Sequence, residues 1–265
     1  MKKWRCLLGV LVISLVWGLL LDFTIYTTHA EGRPYPKKPT NTNISARGCV
    51  NQHPVYYSIN LPKDQRKVVI TFDDGPDGIY TPKVLDILQR YKVKATFFVM
   101  GKSAVNHPEQ LKRIVKDGHT IGNHTWHHSD FQLVSESEIE KDLLKNEKYI
   151  QEELGLKPLY VRPPFGRIND KICRVASRHN YTLVHWDVDP KDWDGRSADR
   201  IVSWVKEKVK PGSIILLHSG GGEPYLDGSI KALPQIIEYL RSEKYQIVPL
   251  QELLKISPYE KGKKK

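Results

Sequence analysis

Val68-Val69-Ile70-Thr71-Phe72-Asp73-Asp74-Gly75-Pro76 is an apolar, β-branched run that stops on two carboxylates and a turn. An unbroken apolar run of this length, bounded by Gly and Pro, reads as a strand buried on both faces, as strands of parallel sheets are. The pattern recurs. Ala95–Val99, Thr120–Gly122, Leu159–Arg162, Thr182–Val188, Ser213–His218 and Gln246–Val248 read as further strands. Between them, Thr81–Tyr91, Pro108–Asp117, Glu136–Leu154, Asn169–His179, Ala198–Val209 and Ser229–Ser242 carry a helical period. Pro108 suits a first helical position, Gly118 follows a last turn, and Ser135 with Glu138 fits a capping box. Seven strands separated by helices predict an α/β fold of parallel strands with crossover helices, either a barrel or an open sheet.

The flanks differ in kind. Lys2, Lys3 and Arg5 precede an apolar run from Leu7 to Leu21, so residues 1–30 read as a signal peptide or an uncleaved N-terminal membrane anchor. Either reading places the body outside the cytoplasm, secreted or anchored at the wall. Residues 31–65, rich in Pro, Asn, Thr and Lys, read as an extended spacer on which only Val55-Tyr56-Tyr57 looks able to dock. Residues 66–255 hold the folded domain, and 256–265 end in a basic tail. The formal charge is +11, and cleavage after Ala30 would remove three cations and one anion to leave +9. For an exported body this charge argues against nucleic acid and for an anionic wall. Cys6, Cys49 and Cys173 are too few and too scattered for a disulfide framework. Cys49 and Cys173 could pair, but the expectation is that they do not. The expected assembly is a monomer.

Polar residues interrupt this pattern at strand ends. Asp73-Asp74 ends the first strand, His124 follows the third, Arg162 ends the fourth, Asp189 and Asp192 follow the fifth, and His218 ends the sixth. In a parallel barrel those ends share the face where such folds place their active sites. His124 and His128 stand at i and i+4, which one helical turn would point the same way. Such a pair is more often a packing feature, but Asp74 on the same face completes a two-His, one-carboxylate set with an open position. Asp73 would point elsewhere and stay free to take a proton. The stretch Ser219-Gly220-Gly221-Gly222 reads as a flexible loop able to move over a substrate.

Thr71-Phe72-Asp73-Asp74-Gly75, His124-Thr125-x-x-His128, Arg162-Pro163-Pro164-Phe165-Gly166, Asp189-x-x-Asp192-Trp193 and Leu216-x-His218 resemble, in order, the five motifs of the NodB-type polysaccharide deacetylases, carbohydrate esterase family 4. The resemblance spans roughly residues 66–252 and implies a distorted (β/α) barrel of seven or eight strands. It implies Asp74, His124 and His128 as ligands of one divalent metal, zinc first, with cobalt or another ion as alternatives. Asp73 would be the general base, paired with Arg162. His218 would be the general acid, held by Asp192. Trp193 and Leu216 would wall the pocket for the acetyl methyl, and the Phe165 backbone N–H would face the oxyanion. The family often has Tyr where Phe165 stands, so a phenol contact to the sugar is missing here. The implied reaction removes N-acetyl groups from a GlcNAc polymer, with peptidoglycan favoured over chitin. Two rivals are an O-acetyl carbohydrate esterase and a non-catalytic wall-glycan-binding protein on the same fold.

Overall fold

The structure, a computed structural model, describes residues 53–221 and 225–260. The expected export segment, the spacer up to residue 52, Gly222 and the Lys261–Lys265 tail lie outside the described residues.

The opening stretch is the hub of the sheet. Strand β2 (Lys67–Asp73) pairs in parallel with β3 (Thr96–Val99) on one side and β7 (Ile214–His218) on the other, and its first residues pair with β8 (Gln246–Ile247). From β3 the sheet runs through β4 (Thr120–Asn123), β5 (Tyr160–Val161) and β6 (Thr182–Val184) to β1 (Val55–Tyr56), all parallel. Crossovers are α1 (Tyr80–Arg90), α2 (Gly101–Asn106) with α3 (Pro108–Lys116), α4 (Glu136–Leu154), α5 (Asp170–His179), α6 (Ala198–Lys208) and α7 (Asp227–Ser242). Among the described residues, only short bridges join the far edges: Ser58 to Ser213, and Val188 to Ile215. The result is a distorted (β/α) barrel.

Alternation along each strand explains why a fully apolar run was needed. On β2, Val68, Ile70 and Phe72 pack outward with the helix faces, while Val69 joins a second cluster with Phe98, Tyr160, Val184 and Ile214. Thr71 and Asp73 follow Val69 on that inner side, so the interior is apolar at the bottom and polar at the top. The same phase puts Leu216 and His218 inward on β7. Gly122 on β4 is glycine because a Cβ there would fall 2.5 Å from the Phe98 ring. The bottom is closed by α8 (Leu250–Leu254), whose Leu250, Leu253 and Leu254 pack on Val69, Tyr160 and Ile214.

Several sequence expectations shift. The fifth expected strand stops at Val184 instead of Val188, because the carbonyls of Val184 and His185 accept from the Arg162 guanidinium. The ordered fold starts before residue 66, since Val55 and Tyr56 are buried as an edge strand on β6. It continues past residue 255, where the Tyr259 hydroxyl accepts the Ile121 N–H at 2.9 Å and Pro258 accepts from Leu159. Cys173 is disulfide-bonded, which corrects the expectation of free cysteines; its partner lies outside the described residues. The capping box at Ser135 and Glu138 forms as read. Among the described residues, no helix is long and apolar enough to cross a membrane.

Candidate active site and metal centre

Asp73 is the last residue of β2, and register places it opposite His218 on β7. Strand pairing alone therefore sets these two inward side chains beside each other. Asp74 leaves the strand with φ 68°, so its carboxylate departs in a different direction. That geometry separates the neighbouring aspartates.

His124 and His128 do not share a helical turn. They stand on a loop after β4 in which Thr125 (φ 70°) and His128 (φ 59°) both adopt the left-handed region. This corrects the expected local structure while leaving the two rings 5.0 Å apart. The loop is held from below: Asn123 Oδ1 accepts from Thr125 N and from Asn146 Nδ2, and Thr125 Oγ1 accepts from His128 N. It is also held from the side, where Asp142 of α4 accepts the backbone N–H groups of Trp126 and His127 and meets the His127 ring. Among the described residues, nine other than glycine have positive φ. Lys92, Asn180, Lys244 and Lys255 end helices; Asp74, Thr125, His128, Phe165 and Lys191 surround the site, the pattern expected where strain is kept for function.

Asp74 Oδ1 lies 3.3 Å from His124 Nε2 and 3.4 Å from His128 Nε2, and the three atoms fall within 4.8 Å of one another. Oδ1 is buried with no hydrogen-bond partner, a costly state for a carboxylate oxygen unless a further group satisfies it. The two spacings match the roughly 3.3–3.4 Å edge of a tetrahedron with bonds of about 2.0–2.1 Å. His124 Nδ1 donates to the Arg162 carbonyl at 2.6 Å, since a carbonyl only accepts, and this leaves Nε2 as a lone pair facing Asp74. These residues fit a divalent ion. Burial pushes the Asp74 carboxyl up, but the imidazoles of His124, His218 and His128 outweigh it and hold the group at about 2. Burial pushes His124 down, yet Asp73 and Asp74 push it up by more, so the site has a negative field suited to a cation.

Arg162 is fully buried and its guanidinium makes four hydrogen bonds. Nη1 donates to Asp73 Oδ1 at 2.7 Å and to Thr71 Oγ1 at 2.9 Å, Nη2 to His185 O and Nε to Val184 O, with the Phe98 ring 4.1 Å beneath. On the other side of Asp73, His218 Nδ1 meets Asp192 Oδ1 at 2.8 Å, and its backbone N–H donates to Asp192 Oδ2 at 2.9 Å. Burial pushes the His218 imidazole down, but the charge and hydrogen bond of Asp192, with Asp74 and Asp73 adding, carry it up to about 9. An imidazolium next to a carboxylate clamped by arginine can deliver one proton and accept another.

The remaining expected residues fall as follows. Phe165 has φ 55° within the turn Pro164–Gly166, and its exposed ring meets His128 edge-on at 4.5 Å. Trp193 is half-exposed beside Asp192, and Leu216 is buried two residues before His218 on the same side of β7. Asp189 accepts the Lys191 N–H and shapes that turn. The glycine-rich loop is anchored at its start: Ser219 N donates to Asp73 O, and a Cβ on Gly220 would fall 2.9 Å from Asp74 O. Thr71, Asp142, His185 and Ser229 also support the site. Thr71 was quoted in a motif; the other three act across the fold, and no local spacing marks them.

The sequence profile of the polysaccharide deacetylase family matches residues 60–184. A peptidoglycan-N-acetylglucosamine deacetylase of Bacillus cereus is 40% identical over 201 residues, covering 76% of this chain and 73% of the relative. Among solved structures, a peptidoglycan N-acetylglucosamine deacetylase crystallised with an N-hydroxybenzamide ligand superposes with a TM-score of 0.75 at 39% identity, covering 80% of this chain and 97% of that one. A pseudoenzyme of carbohydrate esterase family 4 from Bacillus anthracis superposes with a TM-score of 0.70 at 27% identity, over 76% of this chain and 69% of that one. Identity of 40% carried across most of both chains goes beyond a shared fold: the chain belongs to the NodB-type polysaccharide deacetylases, carbohydrate esterase family 4.

Proposed function

We propose that this chain removes N-acetyl groups from GlcNAc residues of peptidoglycan outside the cytoplasm, using one divalent ion, zinc first, held by Asp74, His124 and His128. The observation that carries the reading is the orphaned Asp74 Oδ1 facing two imidazole nitrogens beside an ordered acid–base pair. The relatives' substrate supports peptidoglycan.

An ion in that position supplies Lewis-acid chemistry, polarising the acyl oxygen and making a water easier to deprotonate. The protein does the rest. Asp73, oriented by Arg162, takes the proton of the attacking water. The tetrahedral oxyanion forms next to Phe165, whose backbone N–H is assigned to it. His218, held by Asp192, protonates the departing amine. Acetate and a free amino sugar result. Trp193 and Leu216 are assigned to the methyl pocket.

The test is acetate release from purified wall glycan, with products read by mass spectrometry. Activity is expected to vanish with a chelator, to return with zinc, and to be absent in Asp74→Ala. Full activity in Asp74→Ala would sink the metal mechanism. Since one relative is a pseudoenzyme, glycan binding without any acetate release is the alternative outcome.

A further inference from the structure

Asp192 has no exposure to solvent, and its carboxylate takes three donors. Two come from His218, through Nδ1 to Oδ1 at 2.8 Å and through the backbone N–H to Oδ2 at 2.9 Å. The third is the hydroxyl of Ser229, which donates to Oδ2 at 2.8 Å. Ser229 lies in the first turn of α7, far from Asp192 in sequence, and is buried. A serine at a helix start ordinarily turns its oxygen toward a backbone N–H as a cap. Here the partner is a carboxylate, which only accepts, so the hydroxyl must donate away from its own helix. Backbone packing fixes this approach: a Cβ on Gly228 would fall 1.9 Å from Arg196 O, so glycine lets α7 press against the loop that follows Asp192.

We propose that Ser229 is the third member of a hydroxyl–carboxylate–imidazole relay, a positioning residue that locks the rotation of Asp192 so that Oδ1 faces His218. The inference rests on the acid role assigned to His218. Oδ2 has two donors from opposite elements, β7 and α7; with one removed, the carboxylate turns about its own axis and the imidazole loses its fixed aim. The relay ties the proton donor to the start of α7, an element that carries none of the motif residues.

Ser229→Ala removes one oxygen and inserts a good helix former, so the fold is expected to hold with unchanged zinc content, the unfolding temperature falling only modestly because Asp192 loses one buried donor and keeps two. The expected result is a kcat about ten-fold lower with KM within about two-fold, the usual size for an outer-shell partner. In a His218→Ala background, Ser229→Ala is expected to add nothing further, because its effect passes through that imidazole. Unchanged kcat in the single variant, or a full additional loss in the double variant, overturns the relay. If the parent protein releases no acetate at all, the deacetylase reading falls, and the relay is decided by proton NMR. There the His218 Nδ1–H signal is expected to broaden by faster exchange in Ser229→Ala, and an unchanged signal overturns it.

Discussion

Asp73 and Asp74 are chemically identical neighbours, and backbone conformation alone gives them different duties. Asp73 keeps strand geometry and points into the barrel, where Arg162 takes Oδ1 at 2.7 Å and register sets His218 alongside. Asp74 turns through φ 68° and brings its unpartnered Oδ1 to the two imidazoles. Substitution can therefore separate proton transfer from metal holding. Asp73→Asn keeps volume and keeps an oxygen for Arg162, but removes the group that takes a proton. Turnover is expected to fall about 10²–10⁴-fold, the range for loss of a general base. Zinc content by elemental analysis is expected to stay at the parent level, since Asp74, His124 and His128 are untouched. Loss of zinc together with activity would put Asp73 among the ligands and overturn the division. This division was legible in the sequence because adjacent residues at a strand end must diverge. What the left-handed turn at Asp74 adds is the direction.

The loop that carries His124 and His128 shows what sequence spacing could not supply. The i, i+4 interval was correct as a sign of convergence, but the convergence comes from two left-handed residues and from anchors on another element. Asp142 on α4 collects the N–H groups of Trp126 and His127, and Asn146 one turn later reaches Asn123 Oδ1 and Val99 O. Asp142→Ala is expected to weaken zinc about 10–100-fold in a chelator competition, through a loop that no longer presents both imidazoles together. Asp142 is no cap of α4, so helical content by circular dichroism should hold. Unchanged zinc affinity would mean that the Asn123–Asn146 amides suffice. Long periodic elements such as Glu136–Leu154 were readable to the residue. The two residues of β1, the six of α2 and the five of α8 are shorter than any period that could announce them; only tertiary pairing defines them.

The barrel divides its labour by height. The carboxylates and imidazoles of the site, with five of the nine positive-φ residues, collect at the C-terminal strand ends, while the N-terminal ends are tied by apolar packing, α8 and the Tyr259 segment. The fold class was readable because five of the seven expected strands ran apolar into a polar end. The Cys173 disulfide was not, since three cysteines without a framework carry no pairing signal. His119 belongs to the lower end and makes that division measurable. It precedes β4, is buried, and accepts the Ala95 N–H on Nδ1 at 3.1 Å, with its ring edge-on to Phe97. Protonating Nδ1 would forfeit that bond and place a charge in an apolar setting. Burial, with Lys94 nearby, accordingly pushes this imidazole down to about 4. The unfolded chain takes up the proton near the ordinary value of about 6.5, before the folded protein does. Folding stability is therefore complete above that pH and declines as pH falls from about 6.5 toward 4, by about 3 kcal/mol in all. His53, also pushed down by burial, acts in the same direction. Urea unfolding at pH 7.5 and pH 5 should show this loss in the parent protein and a visibly smaller one in His119→Gln, whose amide oxygen can accept from Ala95 without titrating. An equal loss in both would move the acid sensitivity away from the strand bases and onto the carboxylates of the site.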